Sequence, residues 1–228
     1  MKKFRGYIRA AGYKVVQAAD WGVPADRLNL AGDRDVEWTW VAGMLPERPG
    51  RVLDLGPATS STPLMAAMKG GDVLALDLDP LPVPFTHPNL HYRKGDIING
   101  GLPPGQFDTI INCSTTEHIG LAGRYGSTDQ LDGDLTAMGL MRERMAGAQS
   151  RMIFTIPVGR DMVAAPFHRI YGRARLPRVL AGYGIVTEAY YAKTGTQNVW
   201  QPVARDVALQ VEGSESFYAL GLFVLAPQ

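Results

Sequence analysis

The chain has one cysteine, Cys113, in 228 residues. That excludes both a disulfide framework and a cysteine-rich metal site. No apolar run approaches the length of a bilayer span, and no unbroken apolar stretch follows the early lysines. Neither membrane insertion nor a secretory leader is therefore expected, and a cytoplasmic protein is. Net charge is also missing, since 23 Lys and Arg against 22 Asp and Glu leave only +1. A nucleic-acid partner is not expected without a basic stripe. The one basic concentration, Lys2, Lys3, Arg5, Arg9 and Lys14, is read as a solvated helix face. Internal repeats, low-complexity tracts and interdomain linkers are absent too.

What remains is an ordinary globular composition, 46% apolar and 20% charged, in a chain long enough for one α/β domain with a sizeable core. Residues 4–19 are read as a short helix weakened by Gly6 and Gly12, and Arg34 to Leu45 as a helix with Val36, Trp40, Val41, Met44 and Leu45 on its apolar side. Residues 1–49 are thus predicted to form a helical extension packed on a core domain at 50–228. From Pro49-Gly50 onward the pattern alternates. Strand 51–55, helix 62–68, strand 73–77, a Pro-rich loop 80–88 and short strand 90–93 lead to strand 107–113 and a long loop. A helix over 129–147 follows, with Leu131, Leu135, Met138, Met141 and Met145 along one face. Strand 151–156, a short helix near 176–182, strand 184–192, a loop carrying Trp200 and a closing strand 217–225 complete the chain. This order predicts a Rossmann-like, doubly wound, mostly parallel sheet whose C-terminal strand is antiparallel.

In such a sheet, ligands sit beyond the carboxyl ends of the strands. Val52-Leu-Asp-Leu-Gly56 ends in a turn, and Val73-Leu-Ala-Leu-Asp77 ends in a carboxylate. A dinucleotide site needs three spaced glycines so that a pyrophosphate can approach the backbone. Here Gly56-Pro57-Ala58-Thr59-Ser60 keeps only the first. A nicotinamide oxidoreductase is disfavoured on that ground. S-adenosylmethionine carries no phosphate and asks for one tight turn, a ribose acceptor such as Asp77, and an adenine partner such as Asp96.

In order and spacing, Val52-Leu-Asp-Leu-Gly56, Ala75-Leu-Asp77, Gly95-Asp96-Ile97 and Phe107-Asp-Thr-Ile-Ile111 resemble class I S-adenosylmethionine-dependent methyltransferases over about residues 50–160. The resemblance implies S-adenosylmethionine as cofactor and a set of positions to hold it. Asp54 and Gly56 would line the methionine end, Asp77 the ribose and Asp96 the adenine, with Pro57, Ala58, Leu78, Ile97 and Ser114 as further cofactor-binding positions. Ser114-Thr-Thr-Glu-His-Ile119 is similar to the Glu-His-Ile ending common after the fourth strand of small-molecule methyltransferases. The stretch through Gly123-Arg-Tyr-Gly126, Pro157-Val-Gly-Arg160 and His168-Arg-Ile-Tyr171 resembles an uncharacterised methyltransferase-like family associated with polysaccharide biosynthesis.

Methyl transfer to a hydroxyl requires alignment of the acceptor and removal of a proton. Glu117 and His118, just past the fourth strand, are the catalytic candidates, His118 as base. The alternative role for both is to fix the loop over the cofactor. Arg124, Tyr125, Arg160, His168 and Tyr171 are the substrate-binding candidates, compatible with a sugar or phosphosugar. A metal held by Glu117, His118, Asp132, Asp134 and His168 lacks any tight ligand spacing, and Asp129, Asp132 and Asp134 are read instead as acids at a helix N-terminus. No metal is expected. Methylation of oxygen or nitrogen on a small molecule, a sugar or glycan precursor foremost, is the resulting expectation, and a catalytically silent binding or scaffolding relative is the alternative.

Overall fold

A computed structural model describes residues 33–79, 85–122, 125, 129–193 and 199–228. The expected helix at 4–19 and Arg124 lie outside these residues. The described chain opens on α1 (Arg34–Met44), followed by β1 (Arg51–Leu55), α2 (Thr62–Met68), β2 (Asp72–Asp77), β3 (Leu90–Lys94) and β4 (Thr109–Cys113). A 3-10 turn (Thr116–His118) and α3 (Gly133–Glu143) lead to β5 (Arg151–Val158), the hairpin β6 (Met162–Ala164) and β7 (His168–Ile170), and α4 (Arg175–Val179). The chain ends with β8 (Tyr183–Lys193), β9 (Trp200–Pro202), α5 (Arg205–Ala208) and β10 (Ala219–Pro227).

The main sheet has the order β3-β2-β1-β4-β5-β10-β8-β9. Strands β1 to β5 pair in parallel, and β10 inserts antiparallel between β5 and β8. This is the mostly parallel Rossmann-like sheet with an antiparallel C-terminal strand that the alternating pattern predicts. The chain winds outward from β1 to β3 and returns to β4 on the other side of β1, which makes the β1/β4 seam the topological switch point.

Strand parity divides the core. Val52, Val73, Ala75, Ile111 and Ile153 face Val41 and Leu45 of α1 and Ala66 and Ala67 of α2. Leu53, Leu55, Leu76, Ile110 and Phe154 face Ala137, Met138 and Met141 of α3 and Leu176 and Val179 of α4. The period of two that puts Val52 toward α2 also puts Asp54 there, which is why a carboxylate becomes buried among apolar neighbours.

Two predicted elements are corrected. The long helix begins at Gly133, not 129, and ends at Glu143. Its start is set by a close approach, since a Cβ on Gly133 would lie 2.9 Å from Gly120 Cα. Leu131 is consequently outside the helix and 81% exposed. Asp132 stands at the cap position without a side-chain capping bond and pairs instead with Arg175 and Arg178. On α1 the buried residues are Glu37, Trp38 and Val41, while Met44 is exposed. The hairpin β6/β7 and strand β9 are too short for periodicity to reveal.

Beneath the loop after β4 lies Arg169, 1% exposed. Its guanidinium donates to the carbonyls of Ile119 (2.6 Å) and Leu131 (3.1 Å), with longer bonds to Glu117 and Gln130, and sits 3.8 Å from the Asp134 carboxylate. A buried cation with this many partners clamps both ends of the loop to β7. Arg169→Met is expected to strand those carbonyls and cost about 3–5 kcal/mol of stability, read as a lowered denaturation midpoint.

Candidate functional site

The carboxyl ends of β1 to β4 and the loops beyond them enclose a cavity of about 780 Å³. Its floor is the turn after β1. Gly56 takes φ +64°, its N–H donates to Leu76 O at 2.7 Å, and a Cβ there would lie 2.7 Å from Thr115 Oγ1 and nearer still to Cγ2. Only glycine fits so tight an approach in the left-handed region. Ala58 (φ +48°) and Ser114 (φ +46°) are the two left-handed non-glycine residues among those described, and both line the cavity. Such strain clusters where surrounding bonds over-determine the backbone. For Ala58 the bond is to Asp77, whose Oδ2 accepts the Ala58 N–H at 3.0 Å while Oδ1 accepts from Asp79 N at 3.2 Å.

Asp96 closes its own turn, accepting from Ile98 N (3.0 Å) and Asn99 Nδ2 (2.7 Å). Each carboxylate oxygen of Asp77 and Asp96 thus carries one protein bond and retains acceptor capacity. His118 Nδ1 lies 2.6 Å from the Phe167 carbonyl. A carbonyl only accepts, so a proton resides on Nδ1, while Nε2 lies 3.6 Å from Glu117 Oε1. Rings continue along the wall, with His118 edge-on to Tyr125 and His168, and His168 edge-on to Tyr218.

Of the predicted site residues, Gly56, Pro57, Ala58, Asp77, Leu78, Asp96, Ile97, Ser114, Glu117, His118, Tyr125 and His168 line this one cavity. Three others lie elsewhere. Asp54 is buried beneath the turn, its Oδ2 accepting from Thr62 Oγ1 at 2.7 Å, rather than facing the cavity. Arg160 is on the surface, paired with Glu212 at 2.7 Å. Tyr171 is fully buried and donates to Asp134 Oδ2 at 3.0 Å, so it belongs to the core. Arg124 lies outside the described residues. Asp132 and Asp134 are engaged by arginines away from Glu117 and His118, and no group of three or more His, Cys, Asp or Glu among the described residues is placed to hold a metal.

Sequence reasoning missed several wall residues. Glu37 and Trp38 enter from α1 with Asp33 just before it, Lys193 from the end of β8 and Tyr218 from just before β10. Glu37 is four residues before the buried Val41, so its place on the inward stripe was a usable signal. Tyr218 donates to Asp33 Oδ2 at 2.6 Å; burial and that carboxylate hold its hydroxyl well above the ordinary phenol range.

Part of the chain matches known proteins. Residues 103–206 match a family described as Caenorhabditis protein of unknown function, DUF268. A ribosomal protein L11 methyltransferase of Thermus thermophilus is 32% identical over 142 residues, covering 55% of this chain and 54% of that protein. The chain thus spans about half the length of the curated relative it matches. Solved structures share the fold at low identity. A TehB-like S-adenosylmethionine-dependent methyltransferase from Corynebacterium glutamicum is 16% identical with a TM-score of 0.51, covering 99% of this chain and 100% of that one. The 1,6-didemethyltoxoflavin-N1-methyltransferase of Burkholderia thailandensis, solved with its namesake ligand and S-adenosylhomocysteine, is 13% identical with a TM-score of 0.53, covering 100% and 90%. A methyltransferase from Archaeoglobus fulgidus is 14% identical with a TM-score of 0.54, covering 86% and 94%.

Burial, with Asp77 adding to it and the Thr62 bond opposing, raises the Asp54 carboxyl from the ordinary 3.8 to about 7. The folded protein therefore holds this proton more tightly than the unfolded chain does. Stability is greatest below the ordinary carboxyl range and falls as pH climbs from about 4 to about 7, by about 4 kcal/mol for this group. Asp54→Asn is expected to flatten that decline in denaturation curves taken across the range; an unchanged slope in the variant would assign the decline to other groups.

Proposed function

We propose that the protein is an S-adenosylmethionine-dependent methyltransferase that acts on oxygen or nitrogen of a small molecule. The observation that carries this reading is the cavity at the switch point, with an acceptor carboxylate at the end of β2 and another after β3, and a one-glycine turn between β1 and α2. The donor set fits the ligand. Asp77 has lone pairs left for ribose hydroxyls, Asp96 for the adenine amino group, and Gly56 lets the backbone approach without a side chain. The acids Asp33, Glu37, Asp77, Asp96 and Glu117 in the wall favour a cationic ligand over a diphosphate. When bound, S-adenosylmethionine supplies an electrophilic methyl group on a positively charged sulfur.

The residues past β4 and β7 do the rest. His118, with Nδ1–H committed to Phe167 O, presents only Nε2 as a base, and Glu117 stands where it steadies the resulting imidazolium. Tyr125 and His168 border the same region and position the acceptor, for which a sugar or glycan precursor remains the leading class. A ribosomal protein is the namesake substrate of the curated relative, and the small-molecule reading is preferred here because His118 is 17% exposed and the wall around it is ring-lined. The second reading is a catalytically silent binding or scaffolding relative whose altered turn after β1 no longer holds the cofactor.

Calorimetry separates these. S-adenosylhomocysteine is expected to bind and NAD not; the reverse would replace the proposal with a nicotinamide enzyme. Asp77→Ala is expected to weaken S-adenosylhomocysteine by about 1.5–3 kcal/mol, the worth of hydrogen bonds to a charged acceptor. His118→Ala is expected to spare that affinity and slow methyl transfer to any acceptor found by about 10²–10⁴-fold. Unchanged turnover would demote His118 to a loop support.

A further inference from the structure

Glu37, in the cavity wall, forms no ion pair among the described residues. Glu37 is 2% exposed, and Ser114 Oγ and Thr155 Oγ1 both donate to its Oε1, the latter at 2.6 Å. Among the described residues nothing hydrogen-bonds to Oε2 and no cation pairs with the side chain, although Glu37 forms part of the cavity wall. Two hydroxyls on one oxygen fix the carboxyl plane, so the other oxygen is held ready for a partner at no further ordering cost.

The surroundings say what that partner is. Asp33 approaches from the start of α1, Glu117 from the turn after β4, and Cys113 and Thr155 from the strands below. Tyr218, just before β10, is tied to Asp33, and His118 stands beside Glu117. Burial first, then Asp33, then Glu117 push the Glu37 carboxyl well above the ordinary range, against the two hydroxyl bonds. Arg34 and Lys193 also line the cavity, and neither forms an ion pair with Glu37; Lys193 lies over the faces of Trp200 and Tyr218. A dehydrated acid facing further acids is relieved by one kind of visitor, a cation.

We propose that Glu37 is the cavity's receptor for positive charge, its Oε2 pairing with a cationic centre of the bound adenosyl ligand. This rests on the methyltransferase reading and deepens it, because α1 then becomes part of the ligand site rather than a cover over the sheet. Two centres share the required chemistry, the sulfonium and the α-ammonium. Burial and the facing acids favour the protonated form of Glu37 in the free protein, and entry of the cation favours its ionisation, with release of the proton to solvent.

Titration calorimetry with S-adenosylmethionine, S-adenosylhomocysteine and 5′-methylthioadenosine, on wild type and Glu37→Gln, tests the assignment. The first carries both cationic centres, the second the ammonium alone, the third neither. The glutamine keeps an acceptor for Ser114 and Thr155. It is expected to weaken a charged ligand by about tenfold or more while leaving methylthioadenosine unchanged. Loss confined to S-adenosylmethionine identifies the sulfonium as partner; loss for both charged ligands identifies the ammonium. Equal loss for all three, or for none, overturns the assignment and leaves Glu37 as a packing strut. A second readout needs no variant. In two buffers of different ionisation enthalpy at mildly acidic pH, wild type is expected to release a proton with the affected ligand and none with methylthioadenosine. Binding without that release also overturns it. Wild-type protein that binds none of the three removes the adenosylmethionine reading and this assignment together, whereas binding with an unaltered Glu37→Gln profile removes only the latter.

Discussion

The backbone of Gly56 lies against the side chain of Thr115, and the cavity depends on that approach. It joins the end of β1 to the loop after β4 across the switch point, where the sheet reverses its winding and a gap must open between the two halves. Thr115 Oγ1 secures the contact by donating to Leu55 O at 2.9 Å. With the turn held low, Pro57 to Ser60 pass under the open space instead of across it, and Asp77 reaches the Ala58 N–H from the neighbouring strand. A larger residue at 56 would lift the turn into the volume a ligand occupies.

The two faces of the sheet treat buried charge differently. On the α3 face, Asp134 is fully buried yet surrounded by Tyr171, Arg175 and Arg169, so the charge is compensated and the region is a structural clamp. On the α1/α2 face, Asp54 and Glu37 receive only hydroxyl donors, and both are raised by burial. Compensated groups fix the loop that carries Glu117 and His118; uncompensated groups stand along or just beneath the cavity. This asymmetry distinguishes architecture from site more sharply than sequence position does, because perturbed carboxyls in a cleft are functional candidates while paired ones are commonly struts.

Legibility in the sequence followed the same division. Strands β1 and β2 were readable because they are largely buried and so appear as short apolar runs closed by glycine or aspartate, at 52–56 and 73–77. Positions at strand ends followed directly, and Gly56, Asp77, Asp96, Ser114 and His118 do border one cavity. Residues past β5 were harder, since their placement depends on turns rather than periodicity. Arg160 and Tyr171 are eleven positions apart and lie on opposite sides of the wall, one in solvent and one in the core, because β6 and β7 fold back as a hairpin between them. Arg169, adjacent to the predicted His168, is only 1% exposed, and nothing in its neighbourhood of sequence announces the backbone carbonyls it satisfies. Asp33 and Glu37 went unrecognised for a different reason. An acid near a helix start is ordinarily read as a dipole partner, and tertiary contacts gave these two other work.

The two absent glycines then acquire a physical meaning. Ala58 adopts the left-handed conformation a glycine would take at less cost, and the Asp77 bond to its N–H offsets the difference. Ser60 adds a hydroxyl 2.6 Å from Thr62 Oγ1, which in turn donates to Asp54 Oδ2, so the side chain that replaces hydrogen extends a chain of hydroxyls down to a buried acid. Both residues remain in the wall of an open cavity and neither fills it. A turn that had lost its ligand would gain nothing from holding a strained alanine against a carboxylate. Retention of that strain, together with a fixed and unpaired Glu37, favours a protein that still binds a positively charged adenosyl compound over one in which the pocket is a relic.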